Sequence, residues 1–242
     1  MIIMQTKAIR LICHQSMANY AKPSSYILKE TYPLPPYSTV IGMIHAICGF
    51  KTYHPMKVSV QGTSSPTVAD MYTRYTFAGQ KYDDGRHNVC IPDEESKLGA
   101  IKGRGYMEQL TDVHLILHIV PESKEDFELI LQGLESPQVF PALGRHHDVL
   151  DIESFEVVEL SISKRVYLKQ SAYIPLEVLD KISPIHQKQG TNYKIYKTYE
   201  LDAKTGQRKW AKPIRVKHVA PNLKQPFKNA LVDSDNYLVC LA

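Results

Sequence analysis

The chain has 242 residues, with 29 Lys and Arg against 25 Asp and Glu, a net charge of +4 and 43% apolar residues. That length buries a full core, as one large domain or one domain with appendages, and no run approaches the ~18 apolar residues of a membrane span. Residues 1–7 do not read as a secretory leader, so a soluble, cytoplasmic protein with no membrane association is expected.

Taken in chain order, residues 7–13 alternate, with Ile9, Leu11 and Cys13 on one side and Ala8, Arg10 and Ile12 on the other, which predicts a first strand. The run Pro33-Leu34-Pro35-Pro36 then makes a stiff extended lead-in, because proline fixes φ and restricts the residue before it. Ser38 or Thr39 is the expected N-cap of a helix. Val40, Ile44, Ile47 and Cys48 fall on one helical face, and Gly49 stands where a left-handed C-cap is wanted. Residues 56–61 read as a second strand. The stretch 62–107 is rich in Gly, Tyr, Asp and Lys and too long for an ordinary connection, so a functional loop or an excursion hairpin is expected, with residues 73–77 as one arm.

Residues 112–120 form the clearest strand, with Val113, Leu115, Leu117 and Ile119 alternating with His114, Ile116 and His118. Ser123 followed by Asp126 opens a second helix striped by Phe127, Ile130, Leu131 and Leu134. A loop over 143–148 leads to a fourth strand, residues 150–160. The order β-α-β-excursion-β-α-β predicts an α+β fold with a ferredoxin-like, RRM-like βαββαβ core over residues 1–160, the excursion at about 62–107 included. Residues 193–201 and 208–219 read as strands joined at Lys204-Thr205-Gly206-Gln207, a hairpin in a basic, β-rich extension over 161–242 packed on the core.

Charge is segregated. Residues 164–228 hold fifteen Lys or Arg and four acids, whereas 122–159 hold ten acids and two bases. Such asymmetry suits one face for a polyanion and another for solvent or a basic partner. Several clusters carry that chemistry. Tyr37, Ser38 and Thr39 offer a stacking ring, a hydroxyl and the free N–H groups of a helix start, with Asn19, Tyr20 and Lys22 at the same end of the first strand. Gly144, Arg145 and His146 form a turn whose arginine grips phosphate or pairs with Asp148. Arg74, Tyr75, Lys102 and Arg104 place bases beside aromatics in the excursion, a composition suited to single-stranded RNA and also typical of polar loops. Arg208, Lys209, Arg215 and Lys217 surround Trp210, the only tryptophan, either as a phosphate-tracking surface or as an outer strand with Trp210 packed inward.

No cofactor and no metal site is expected. The four cysteines, Cys13, Cys48, Cys90 and Cys240, show no C-x-x-C spacing and read as reduced thiols, Cys13 and Cys48 in the core. His114 and His118 share a strand face, but four residues along a strand is ~13 Å, too far for one ion without a second element. No HExxH, GxSxG or Walker motif is present.

The segment TYPLPPYSTVIGMIHAICGF at 31–50, with Pro141-Ala142-Leu143-Gly144-Arg145-His146-His147-Asp148 about a hundred residues on, resembles the CRISPR-associated Cas-five family of the RAMP superfamily, the type I-B branch most closely, over roughly residues 5–160. The resemblance implies a non-catalytic subunit of a Cascade surveillance complex that caps the 5′ handle of the CRISPR RNA (crRNA) in antiviral defence. It implies a palm contacting the handle through Ser38, Thr39, Gly144 and Arg145, and a thumb, residues 70–107, inserted beside the first guide bases. Its implied partners are the crRNA, the repeated backbone subunit and the large PAM-reading subunit, with target DNA reached indirectly or at the PAM-proximal end. Some relatives cut precursor crRNA without metal, which would draw on Tyr37, His45, Lys102 or His146. An unrelated RRM-like RNA-binding module is the remaining alternative.

Overall fold

The computed structural model describes residues 6–25, 28–92, 97–183, 185, 188–221 and 223–242. Residues 1–5, most of the stretch read as no leader, and residues 93–96 of the excursion lie outside the described residues. The first strand, β1 (Thr6–Ala18), is central: it pairs antiparallel with β5 (Lys97–Pro121) on one side and β6 (Asp151–Ser163) on the other. On the far side of β5 lies β3 (Met56–Lys81), so these four strands run β6-β1-β5-β3. Two helices, α1 (Tyr37–Cys48) and α2 (Lys124–Glu135), make the connections and pack on each other over one face. That face is the core. Ile9, Leu11 and Cys13 of β1 meet Val113, Leu115, Leu117 and Ile119 of β5 and Val40, Ile44 and Ile47 of α1, all buried. Each such side chain contributes ~1.5–3 kcal/mol on burial.

The helix signals resolve in two ways. Gly49 caps α1 with φ +67, and Ser123 caps α2 by accepting from the Asp126 N–H at 3.0 Å, as the sequence predicts. The start of α1 differs. Pro36, extended at ψ 151, occupies the N-cap, so Ser38 and Thr39 lie inside the first turn and cap nothing. The proline already sets the entry angle and has no N–H to satisfy.

Of the two forms expected for the stretch 62–107, the structure has the excursion hairpin. β3 and β5 continue past the core as one antiparallel arm, from Val68 paired with Gln109 out to Lys81 paired with Leu98, with β4 (Val89–Pro92) added at the tip. Fourteen residues at strand rise make this arm roughly 45 Å long. The short β2 (Leu28–Lys29) lies parallel beside β5 at the arm's base.

Beyond residue 163 the sheet continues past β3 through β7 (Ser171–Pro175), followed by α3 (Leu176–Ile182), then β11 (Ile214–Val219) and β8 (Thr191–Ile195). The two predicted tail strands are each divided. Their inner parts, β8 and β11, join the large sheet, while β9 (Tyr199–Leu201) and β10 (Arg208–Trp210) form a separate two-stranded sheet closed by the predicted turn, with Gly206 at φ +65. Pro213, which has no N–H to give a ladder, lies between β10 and β11. Both ladders of β11 bury its middle: Lys217 is 5% exposed and does not belong to the basic surface expected around Trp210.

The chain end closes the other face. β12 (Ala230–Val232) pairs with β6, and the following residues cross behind the sheet, where the Cys240 N–H donates to Ser59 Oγ at 3.0 Å. Here Arg10 is buried beneath Asp233, with Nη1 2.7 Å from Oδ2, and the fully buried His118 places Nε2 3.0 Å from the same oxygen. Burial alone would raise the Asp233 carboxyl, but His118, the Tyr237 N–H and Arg10 outweigh it and hold it at about 2. All four cysteines are free, Cys13 and Cys240 buried and Cys48 half-buried. Among the described residues no helix is long and apolar enough to cross a membrane.

Asp233→Ala removes the partner that His118 and Arg10 share, while Arg10 keeps Glu156 and Asp235, and is expected to cost about 1–3 kcal/mol in chemical denaturation. Because the folded carboxyl titrates below its unfolded value, its stabilisation is complete above pH ~4 and fades as pH falls toward about 2. Denaturation curves of wild type and Asp233→Asn should therefore converge over that window.

Candidate nucleic-acid interface

The end of β1, the start of α1, the loop 143–148 and the β9–β10 hairpin meet around one cleft of about 220 Å³. Asn19 and Tyr20 come from the strand end, Pro36, Ser38 and Thr39 from the helix entry, Gly144 and Arg145 from the loop. Tyr32, Tyr196 and Trp210 supply an aromatic wall, beside Ala21, Pro23 and Ile195. The volume is below the roughly 300–1,000 Å³ of pockets for larger ligands, and suits a single base or phosphate.

Asp148 fixes the loop. Its carboxylate accepts from the backbone N–H of Arg145 at 2.9 Å and of Asn19 at 3.1 Å, from Arg145 Nε at 3.0 Å and from Arg145 Nη2 at 2.6 Å. Burial would raise this carboxyl, yet the Arg145 side chain and the two backbone donors hold it below the usual carboxylate range. Gln15 adds a second tie, donating from Nε2 to the carbonyls of Leu143 at 3.0 Å and Asp148 at 2.9 Å while accepting from the Tyr20 hydroxyl at 2.6 Å. The Arg145 guanidinium is thus committed to Asp148, with Nη1 against Met107 Sδ at 2.7 Å. In this structure it holds the loop, the second of the two roles the sequence left open for it. Gly144 has φ +113, and a Cβ there would lie 2.9 Å from both Asn19 O and Asp148 Oδ2.

The predicted residues separate into those gathered here and those placed elsewhere. Asn19, Tyr20, Ser38, Thr39, Gly144 and Arg145 line the cleft. Lys22 stands at its edge, paired with Glu30 at 2.9 Å. Tyr37 is a correction: its ring is fully buried, edge-on to Tyr173 at 6.3 Å, and is not open for stacking. The first residue of the helix points inward because Pro36 turns the chain there. Asn19 too is buried, donating from Nδ2 to the carbonyls of Lys29 and Glu108. His146 is exposed beside His147.

Arg74, Tyr75, Lys102 and Arg104 lie on the arm. Tyr75 pairs with Lys102, Thr73 with Arg104 and Met71 with Tyr106, so Tyr75, Lys102, Arg104 and Tyr106 share one face with Phe77. Tyr75 and Phe77 stack at 6.1 Å in the open. Arg74 projects from the opposite face. Arg208 covers the Tyr199 ring at 4.5 Å, Lys209 pairs with Asp202 at 2.5 Å, and Arg215 is exposed on β11.

Sequence reading missed Tyr196 and Gln15. Trp210 is 41% exposed, lies tilted against Tyr196 with ring centroids 5.3 Å apart, and lines the cleft without packing into a core. The Ser38 N–H donates to the Tyr196 carbonyl at 3.2 Å, tying this wall to the helix start. The signal for Gln15 was present: it continues the inward series Ile9, Leu11, Cys13 as a polar residue on an apolar face.

Gly144→Ala is expected to lose about 1–3 kcal/mol through strain at positive φ. For a chain of this size that is a fall of roughly 2–4 °C in Tm per kcal/mol, measurable by calorimetry, with Gly206→Ala, whose Cβ would meet no atom, as the strain-only comparison.

The family model described as CRISPR-associated protein (Cas_Cas5) matches residues 8–212. No curated protein matches. Among solved structures, a chain of a "CRISPR RNA-guided surveillance complex" is 16% identical at a TM-score of 0.52, covering 96% of this chain and 94% of that one. A CRISPR protein from Archaeoglobus fulgidus is 7% identical at 0.41, covering 93% and 91%. A chain of a type III-B Cmr-beta complex bound to cognate target RNA and AMPPnP is 12% identical at 0.43, covering 91% and 86%. The first similarity is one of fold: few helices on a large, mainly antiparallel sheet, the RAMP-like Cas architecture. With the family model running over most of the sequence, into the tail strands, this chain belongs to the CRISPR-associated Cas_Cas5 family.

Proposed function

We propose that this protein is a non-catalytic crRNA-binding subunit of a type I, I-B-like CRISPR surveillance complex, and that it caps the 5′ handle of the guide. The observation that carries the reading is the cleft itself: strand end, helix entry and Gly144–Arg145 loop converge around the Ser38 and Thr39 hydroxyls, under an aromatic wall. Polar groups hold backbone and rings stack bases, the combination single-stranded RNA requires. The strand order β6-β1-β5-β3 with two helices on one face supports a ferredoxin-like palm over residues 1–160, with the β3–β5 arm as thumb and 161–242 as its basic extension. The arm's face of Tyr75, Phe77, Lys102, Arg104 and Tyr106 fits a second contact with exposed bases. The acidic α2–β6 side is then free for protein neighbours, the repeated backbone subunit and the large PAM-reading subunit, in a cytoplasmic defence complex.

The groups a cleavage reaction would draw on are dispersed. Tyr37 is buried, with its hydroxyl pushed far above the usual phenol range by desolvation. His45 packs between Phe50 and Tyr53 at the far end of α1, Lys102 is on the arm and His146 is in the loop. This arrangement favours holding RNA over cutting it.

Co-purification of the tagged chain from its host, with sequencing of bound RNA and mass spectrometry of partners, tests the proposal. Short RNAs sharing one constant repeat-derived 5′ end, together with CRISPR backbone subunits, are expected. A chain recovered alone or with random RNA overturns it. Trp210→Ala removes the stacking wall from a hairpin outside the large sheet. It should weaken handle binding by ~1–3 kcal/mol per lost stack, roughly 5- to 150-fold, with Tm unchanged.

A further inference from the structure

The sequence sets His114 beside His118 on one strand and finds them too far apart for a shared ion. The fold supplies the missing second element. His14 of β1 lies directly across the ladder from His114, on the face turned away from α1 and α2, with ring centroids 4.8 Å apart. Asp112 Oδ1 is 3.1 Å from His14 Nε2 and 3.2 Å from His114 Nε2. All three ligand atoms lie within 4.8 Å of one another. Around an ion with bonds of ~2.0–2.1 Å, neighbouring ligands of a tetrahedron stand roughly 3.3 Å apart. Two of the three edges already have that spacing, and a modest rotation of one imidazole closes the third.

The backbone bears on the same point. Asp112 has φ +49, a left-handed conformation rare outside glycine and tolerated best by Asn and Asp. In an even strand, residues 112 and 114 would stand about 6.6 Å apart along one face. The left-handed residue instead brings the carboxylate back between the two rings. Strain of this kind costs roughly 1–3 kcal/mol, whereas an exposed ion pair returns about 0–1 kcal/mol. The Asp112 side chain is 62% exposed, so its pairing with the two imidazoles does not by itself offset the strain. A bound cation does.

We propose that His14, Asp112 and His114 form a site for a first-row divalent cation of the zinc class. Two imidazoles and one carboxylate suit borderline ions and exclude calcium and magnesium, which take oxygen ligands. Water completes the shell on the open side. The site lies where the arm leaves the sheet: β3 breaks register between Thr63 and Val68, opposite Asp112, and Thr111 Oγ1 donates to the Pro66 carbonyl at 3.2 Å. Bound metal would staple β1 to β5 at that joint.

The untagged full-length chain, stripped with EDTA, is titrated with Zn²⁺ against a chromophoric chelator and, separately, with Co²⁺ by visible absorption. One ion per chain is expected, with a four- or five-coordinate Co²⁺ spectrum. His14→Ala and Asp112→Asn should each weaken binding at least about tenfold, the scale at which even outer-shell losses act. His54→Ala, which removes a different His–Asp pair, should leave it unchanged. All the substituted side chains are at or near the surface, and a melting curve of each apo variant confirms folding. Binding that survives both substitutions, or that is lost equally in His54→Ala, overturns the proposal, as does a wild-type chain that takes up no ion.

Discussion

The cleft depends on one buried carboxylate. Asp148 lies where the loop after α2 meets the end of β1, and it can be buried there only because a guanidinium fork and two backbone N–H groups converge on it. Each of those donors is placed by something else. The Asn19 N–H is held by the β1–β5 ladder that ends at Ala18. The Arg145 N–H is presented by Gly144 at a φ most residues avoid. Gln15 then fastens both ends of the loop to the strand from inside the core. The loop is therefore an extension of the sheet's register, with little freedom to rearrange around a ligand. Such preorganisation lowers the entropy cost of binding.

This geometry divides labour between residues that look alike in sequence. Arg145 and Lys22 are cations at the cleft, yet both are engaged, one with Asp148 and the other with Glu30. Tyr20 and Tyr32 flank it, but Tyr20 spends its hydroxyl on Gln15. The groups left facing the cleft are hydroxyls on α1 and rings on the tail hairpin. Specific grip on RNA here would come from shape and stacking more than from net charge, although charge segregation is what the sequence advertises most loudly.

Much of the architecture was legible. Apolar alternation located β1, the inner half of β5 and β6, and the 3.6-residue stripe located both helices, because each of these elements has one face in the core. Gly49, Ser123 and the turn at Gly206 were legible because their chemistry is local. The arm was legible only through its length, which left a functional loop or an excursion hairpin open; its strands and register were not, since a two-stranded ribbon exposed on both faces has no apolar face to alternate. Nor was the burial of Tyr37, which depends on Tyr173 more than a hundred residues away, or of Lys217, which depends on ladders to β7 and β8 on both sides. The same limit hid Asp233, whose role is set by Arg10 and His118 across the sheet. The tail hairpin was foreseen, but not its division at Pro213, and it is that division that frees Trp210 to swing over the cleft.

The arm's design follows from its origin. β3 and β5 belong at once to the palm and to the arm, so the arm is joined by two continuous strands and not by a flexible linker. A ribbon unsupported on either face bends where its ladder is irregular. Near its base the irregularities lie at Thr63–Val68 and at Asp112, with Pro66 unable to donate a ladder hydrogen bond, and a further shift lies near the tip between Phe77 and Lys81. Below that joint the strands are clamped by α1, α2 and the chain end; above it the described residues are held chiefly by each other and by short β2 and β4, with Asn19 and Arg145 touching Glu108 and Met107 at the base. The angle of the arm is thus decided over a few residues, and His14, Asp112 and His114 sit among them. Hydrogen bonds in the open hold that angle weakly, because water competes for every donor. Metal bonds across β1 and β5 would hold it firmly, and would fix where the aromatic face of the arm stands relative to the cleft some residues away.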